Sequence, residues 1–170
     1  MGRDKALIEI EGKPLLTRAV EFCNLFCDEV LVSSDSELHR IEGFQTIADQ
    51  FKDCGPMGGI YSCISASAND WNFVLSVDAP FVRQEFVLEM LANCNNYDAV
   101  IPIHDRKKEP LIAFYNKSVL PELETLLKEG NYKMHSLIER VRTNFADAET
   151  YLKQSPNMFH NLNFPEDIQE

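Results

Sequence analysis

The run Trp71-Asn72-Phe73-Val74-Leu75-Ser76-Val77-Asp78-Ala79-Pro80 most constrains what this 170-residue chain can fold into. It is close to continuously apolar, the pattern of a strand covered on both faces. Such strands belong to parallel sheets with helices packed above and below. The single carboxylate, Asp78, stands at the carboxyl end, and Pro80 stops further pairing because it has no N–H for a ladder. Ligands of open α/β sheets collect at the carboxyl ends of strands, so Asp78 faces a crevice. The residues alone leave two readings open. Asp78 caps the next helix, or it is a ligand for Mg²⁺, which takes few protein carboxylates and fills its shell with phosphate oxygens and water.

Along the chain, short apolar runs alternate with segments of helical period, the signature of an α/β protein. Leu7 to Ile10 reads as a strand closed by the turn Gly12-Lys13-Pro14. Leu15, Leu16, Ala19, Val20, Cys23 and Phe26 mark an amphipathic helix. Strands follow at Val30 to Val32 and Phe44 to Ala48, then a helix from Gly55 to Ala66, the strand 72–77 and a helix from Arg83 to Asn93. Ala99 to Pro102 is a strand with proline at its exit, and Leu111 to Tyr115 one on the mixed side of the sheet. Ser118 is set to cap a helix that stops at Gly130, a shorter helix covers His135 to Val141, and Met158 to Leu162 reads as a late strand. The expected architecture is a three-layer α/β/α domain over residues 1–170 with a mostly parallel, Rossmann-like sheet.

Composition narrows the function. A domain of 170 residues buries roughly 70% of its unfolded surface. No apolar run reaches the ~18 residues of a membrane span, and the start of the chain lacks a secretory pattern. The net charge of −11 argues against a nucleic-acid backbone as partner. Five cysteines without C-x-x-C spacing suit a reducing cytoplasm and core thiols. Cys23 and Cys27, four apart, offer at most half a zinc site.

Polar candidates fall repeatedly at strand ends: Ser33 with Asp35, Asp49, Asp78, and the segment after Pro102. That recurrence implies one shared crevice. Gly58 and Gly59 open a helix, either to admit an anion at its N-terminus or to allow close helix–strand packing. Lys5 is a point cation for phosphate or a solvated lysine. Arg106-Lys107-Lys108 is a basic triplet for a second anion or a solvated loop. Asn161 and Asn163, two apart, are paired amides of a strand or turn residues before Pro165. Together they suit nucleotidyl transfer, in which a metal on Asp78 offsets charge on a pyrophosphate leaving group. No Ser–His–Asp nucleophile arrangement is visible, which disfavours acyl transfer.

These residues also resemble a family. Met1-Gly2-Arg3-Asp4-Lys5-Ala6-Leu7 followed by Gly12-Lys13-Pro14-Leu15 is similar to the signature of the molybdenum cofactor guanylyltransferases, which have the nucleotide-diphospho-sugar transferase-like fold. Gly55-Pro56-Met57-Gly58-Gly59-Ile60 matches their G-P-L-x-G-[IM] segment. Asp78-Ala79-Pro80 matches C-D-x-P, with Val77 in place of Cys. Glu109-Pro110-Leu111-Ile112-Ala113 resembles H-P-x-x-A, and Asn161-Leu162-Asn163-Phe164-Pro165-Glu166-Asp167 resembles N-x-N-T-P-E-D/E, with Phe164 where Thr is usual. The resemblance implies Mg²⁺-dependent transfer of GMP from GTP to the phosphate of molybdopterin, with release of pyrophosphate, in the cytoplasm. It implies that Lys5 contacts the nucleotide phosphates and that Asp78 binds Mg²⁺ and nucleotide. Asp49 contacts nucleotide, Ser33 stands where some members use Asn, and Asn161 and Asn163 face molybdopterin. It further implies a transient molybdoenzyme or chaperone partner.

The family precedes M-G-x-D-K with a strand and a glycine-rich loop, L-A-G-G-x-S-x-R. That strand would lie between strands 30–32 and 72–77, and its loss would leave two buried edges unpaired at about 1–3 kcal/mol per orphan group. A shortened product, or another segment filling the gap, is therefore expected. Three functions compete: guanylyl transfer to molybdopterin; cytidylyl transfer or transfer to a sugar phosphate on the same fold; and non-catalytic binding. Mass spectrometry of the native protein is expected to find a product longer than one starting at Met1; an intact mass starting there overturns the shortened-product reading.

Overall fold

Residues 4–162 are described in a computed structural model. The first element is a 3-10 turn, Lys5–Leu7, whose N-cap Asp4 accepts the Ala6 N–H at 3.1 Å. A two-residue hairpin follows, β1 (Glu9–Ile10) with β2 (Lys13–Pro14), so Lys13 and Pro14 belong to a strand and not to the expected turn. Glu11 and Gly12, both at positive φ, make the tight reversal between them. Then come α1 (Leu15–Asn24), β3 (Leu31–Ser33), β4 (Gln45–Ile47), α2 (Pro56–Ala66), β5 (Trp71–Leu75) and α3 (Gln84–Ala92). The rest is β6 (Ala99–His104), β7 (Lys107–Lys108), β8 (Ile112–Asn116), α4 (Leu120–Lys128), α5 (Met134–Arg140), β9 (Thr143–Asp147) and α6 (Glu149–Gln154).

The larger sheet runs β5-β8-β6-β7, with β9 also on β6. Because β8 is antiparallel to both β5 and β6, and β9 is parallel to β6, the strands β5, β6 and β9 share one direction. The sheet is thus mixed and not mostly parallel as expected: three strands share a direction, but β8 and the short β7 are reversed and only the β6–β9 pairing is parallel. Side chains alternate between two cores. Ala99 and Ile101 of β6 and Ala113 and Tyr115 of β8 face α2, α4 and α5. Val100 of β6 and Ile112 and Phe114 of β8 face α3, the end of α1, and α6. Period-two alternation between two helix layers makes both faces apolar.

Several local expectations give way to tertiary context. Strand β6 does not stop at Pro102 but continues to His104. Proline is tolerated because its partner changes there, from β8 at Ala99 and Val100 to β7 at Ile103 and His104. Ser118 is not a cap: Asn116 caps the 3-10 turn Lys117–Val119 that leads into α4, and the Ser118 hydroxyl donates to Asp98 at 2.8 Å. Met158 to Leu162 forms no strand. Met158 and Phe159 fill the core under α3 and Leu162 the one under β1, while the unexpected β9 extends the sheet.

Strands β3 and β4 pair in parallel as a separate ribbon. The Ala68 N–H just before β5 donates to Glu29 just before β3, which places the starts of the two strands together. Their ends meet around residues 4 and 5, so β3 and β5 also run the same way. Between them lies a cavity of about 610 Å³ lined by Val32, Phe73, Leu75, Cys23, Gly59 and Cys63 among others. Among the described residues, β3 pairs only with β4, and β5 only with β8. The cavity occupies the position where the resemblance puts a further strand.

Close packing fixes the first turn of α2. Gly55 has φ 59° and ψ −151°, a conformation open only to glycine, and Pro56 begins the helix. A Cβ on Gly58 would lie 2.7 Å from the Phe51 carbonyl oxygen, a backbone atom that cannot swing aside. Gly58→Ala is expected to destabilise the protein by about 1–3 kcal/mol, read as a lower urea midpoint with an unchanged m-value.

Candidate active site

Residues from five elements converge on the rim formed by the carboxyl ends of β3, β4 and β5. Asp78 follows β5 by one turn. Its Oδ1 accepts the Ser76 hydroxyl at 2.6 Å and its Oδ2 accepts Lys5 Nζ at 3.2 Å. The Asp78 side chain is 17% exposed and that of Lys5 42%, so the pair sits at the surface of the crevice, within reach of a ligand. The Leu162 N–H donates to the Asp78 carbonyl at 2.8 Å, which brings the segment carrying Asn161 beside the same turn. Asn163 lies outside the described residues.

On the other side of the cavity, Ser33 at the end of β3 donates to Asp49 Oδ1 at 3.1 Å. Asp35 accepts the Asp49 N–H and pairs with Lys52; the lysine beside it holds the Asp35 carboxyl below its ordinary range. A Cβ on Gly59 would strike the Ser33 hydroxyl and lie 3.4 Å from Asp49. The glycine therefore lets the start of α2 close onto this pair. The positive end of a helix beside Ser33 and Asp49 favours an anion there. The structure thus divides the expected residues into two groups: Ser33 and Asp49 line the cavity, and Lys5 pairs with Asp78 just beyond Ser76 and Val77, which line it past the end of β5.

The donor set suits a hard cation shared with phosphate. Both Asp78 oxygens keep lone pairs beyond their single hydrogen bonds. No cluster of three or more His, Cys, Asp or Glu exists among the described residues, so the chain has no all-protein metal cage there. One carboxylate supplemented by phosphate and water is the coordination Mg²⁺ accepts. Cys23 and Cys27 likewise build no zinc site among the described residues.

The basic triplet stands in the β6–β7 hairpin, with Arg106 and Lys107 exposed. Asp105 and Arg106, both at positive φ, turn β6 into β7, and Lys108 Nζ lies 4.9 Å from the centroid of the Phe145 ring. Sequence reasoning missed a constellation instead. His39 Nδ1 meets Ser34 Oγ at 2.6 Å, and His39 Nε2 meets Asp4 Oδ2 at 2.7 Å. Ser34 Oγ also accepts the Ser36 N–H at 3.0 Å, so this hydroxyl serves the turn after β3. A separation of 35 residues between His39 and Asp4 leaves no local signal for the contact. A second histidine, His104 at the end of β6, pairs with Glu109 at 3.0 Å and stacks on Phe159.

With this geometry in view, comparison with known proteins is decisive. The MobA-like NTP transferase domain matches residues 1–145. The chain belongs to the MobA-like NTP transferase family. A molybdenum cofactor guanylyltransferase of Vibrio campbellii is 33% identical over 98% of this chain and 85% of its own length. A probable molybdenum cofactor guanylyltransferase of Halalkalibacterium halodurans is 29% identical over 99% of this chain and 89% of its own length. Among solved structures, molybdopterin-guanine dinucleotide biosynthesis protein A of Archaeoglobus fulgidus superposes with a TM-score of 0.81 at 27% identity, covering 96% of this chain and 86% of that one. A 2-C-methyl-D-erythritol 4-phosphate cytidylyltransferase of Thermus thermophilus shares the fold, with a TM-score of 0.73 at 14% identity over 96% of this chain and 89% of that one. This MobA-like transferase is therefore an α/β protein of the nucleotidyltransferase type, and no helix among its described residues is long and apolar enough to cross a membrane.

The thiols lining the cleft of this MobA-like chain are held neutral. Burial pushes the Cys23 thiol up to about 12. Burial, with the charge of Asp49 adding, pushes Cys63 up to about 11. The folded state thus keeps protons that the unfolded chain releases from about pH 9 upward. The stability these neutral thiols contribute is complete below pH 9 and is lost as the pH rises through the folded values. The melting temperature is expected to fall more steeply above pH 9 in the parent than in Cys63→Ala, measured by calorimetry across the alkaline range.

Proposed function

We propose that the chain is a molybdenum cofactor guanylyltransferase, transferring GMP from GTP to the phosphate of molybdopterin. In this reading an acceptor phosphate oxygen forms a bond to the α-phosphorus of GTP while the bond to pyrophosphate breaks. The observation that carries it is the Lys5–Asp78 pair at the carboxyl end of β5, in a chain similar throughout to curated guanylyltransferases.

Lys5 leaves Asp78 for the triphosphate and offsets its charge as a point cation. Asp78, oriented by the Ser76 hydroxyl, would hold Mg²⁺. When bound, that ion supplies neutralisation of the charge developing on the pyrophosphate leaving group. Ser33 and Asp49, stiffened by their mutual hydrogen bond, hold the nucleoside on the far side of the cleft. Asn161 and Asn163 serve the molybdopterin side; Leu162, next to Asn161, is bonded to the Asp78 turn. The chemistry needs positioning and charge more than an acid–base pair, which agrees with a rim of fixed polar groups on rigid strand ends.

Calorimetric titration with GTP, CTP and ATP, each with and without Mg²⁺, tests the reading. GTP is expected to bind best, more tightly with Mg²⁺, and at least about tenfold more weakly to Asp78→Ala, the loss of a charged contact worth ~1.4 kcal/mol or more. Preference for CTP would assign cytidylyl transfer instead. No nucleotide binding by the folded chain would leave non-catalytic binding as the better account.

A further inference from the structure

The Ser34–His39–Asp4 line has a place in the molecule that the residues above do not explain. Ser34 is anchored to the ribbon, its N–H donating to the Ile47 carbonyl of β4 at 3.0 Å. His39 ends the 3-10 turn Glu37–His39, whose N-cap Ser36 accepts the Leu38 N–H. From there Nε2 reaches Asp4. Asp4 uses its other oxygen on the Ala6 N–H, fixing the turn that carries Lys5. Lys5 in turn meets Asp78 beyond β5. Two sets of polar contacts, Ser34–His39–Asp4 and Lys5–Asp78, joined by the backbone between Asp4 and Lys5, therefore link the β3–β4 ribbon to the end of β5.

Each link is a side chain with a defined partner. The His39 ring is only 18% exposed, which limits its alternative positions. A carboxylate only accepts, so Nε2 carries the hydrogen and donates to Asp4; in the neutral ring Nδ1 then accepts from the Ser34 hydroxyl, and the two contacts select the same tautomer. A charge-assisted bond of 2.7 Å is among the stronger hydrogen bonds a protein makes. Cutting it frees the Asp4 end of the turn and with it the backbone of Lys5. The ammonium group would then sample positions away from the cleft.

We propose that His39 is a positioning residue for Lys5. By holding Asp4 it sets where the cation stands between the Ser33–Asp49 side and Asp78, and it acts on the nucleotide only through Lys5. The inference rests on the reading that Lys5 contacts the nucleotide phosphates.

A double-mutant cycle on Mg²⁺–GTP affinity and on kcat/KM tests it. His39→Ala is expected to weaken binding about tenfold, the worth of one charge-assisted hydrogen bond. His39→Gln, whose amide can donate to Asp4, should restore most of the loss, and Asp4→Ala should reproduce it from the other end of the contact. Lys5→Ala should weaken binding at least as much. Adding His39→Ala to Lys5→Ala should then change nothing further, a non-additivity that a general loss of stability does not produce. Undiminished binding by His39→Ala, or full additivity with Lys5→Ala, overturns the proposal alone. Failure of the parent chain to bind Mg²⁺–GTP overturns the nucleotide reading and this one with it.

Discussion

The shared direction of β5, β6 and β9, in a sheet with helices on both faces, governs the arrangement of the molecule. Helices α2, α4 and α5 cover one face and α1, α3 and α6 the other. Within the strands there is no room for an unpaired polar group, because a buried one costs about 1–3 kcal/mol. Polar and charged residues are expelled to the ends, and parallel strands put those ends on one rim. Ser33, Asp49 and Asp78 converge there for that reason, although they come from three different strands.

The rim joins two sheet pieces across a cavity. On one side the β3–β4 ribbon packs on α2 through the glycines of its first turn; on the other β5 is tied into the larger sheet by β8. At the mouth the two sides communicate through side chains, with Asp4 tied toward the ribbon and Lys5 toward β5. Two adjacent residues on one short turn thus determine the separation of two charged groups. In the proposed function an approaching anion would exchange the Lys5–Asp78 contact for its own, which makes the pair a resting arrangement of a site preorganised for phosphate. Preorganisation of this kind lowers the cost of ordering charged side chains when a ligand arrives.

Much of this was readable from local pattern. The continuous run before Asp78, the glycine pair opening α2 and the apolar spacing of α1 and α4 all announce their elements, because burial on a sheet or helix face imposes a period on the sequence. Strand β9 was not readable: Thr143-Asn144-Phe145-Ala146-Asp147 is only partly buried and lacks a sustained apolar pattern. Conversely Met158, Phe159 and Leu162 look like a strand but are buried as a turn that fills gaps between layers. Pro102 reads as a stop, yet the change of partner from β8 to β7 removes the need for its N–H. The His39–Asp4 contact carries no local signal, since packing brings the two together across 35 positions.

The sequence by itself determined the layered α/β class, the strand-end position of Asp78 and the residue types available for phosphate and metal, because those follow from periodicity and from chemistry carried by each side chain. Only the tertiary structure decided which of those groups meet. Lys5 reaches Asp78 across 73 positions and His39 reaches Asp4 across 35. Contacts at such separations depend on how strands are ordered and on which helix covers which face, and no local stretch of sequence encodes either.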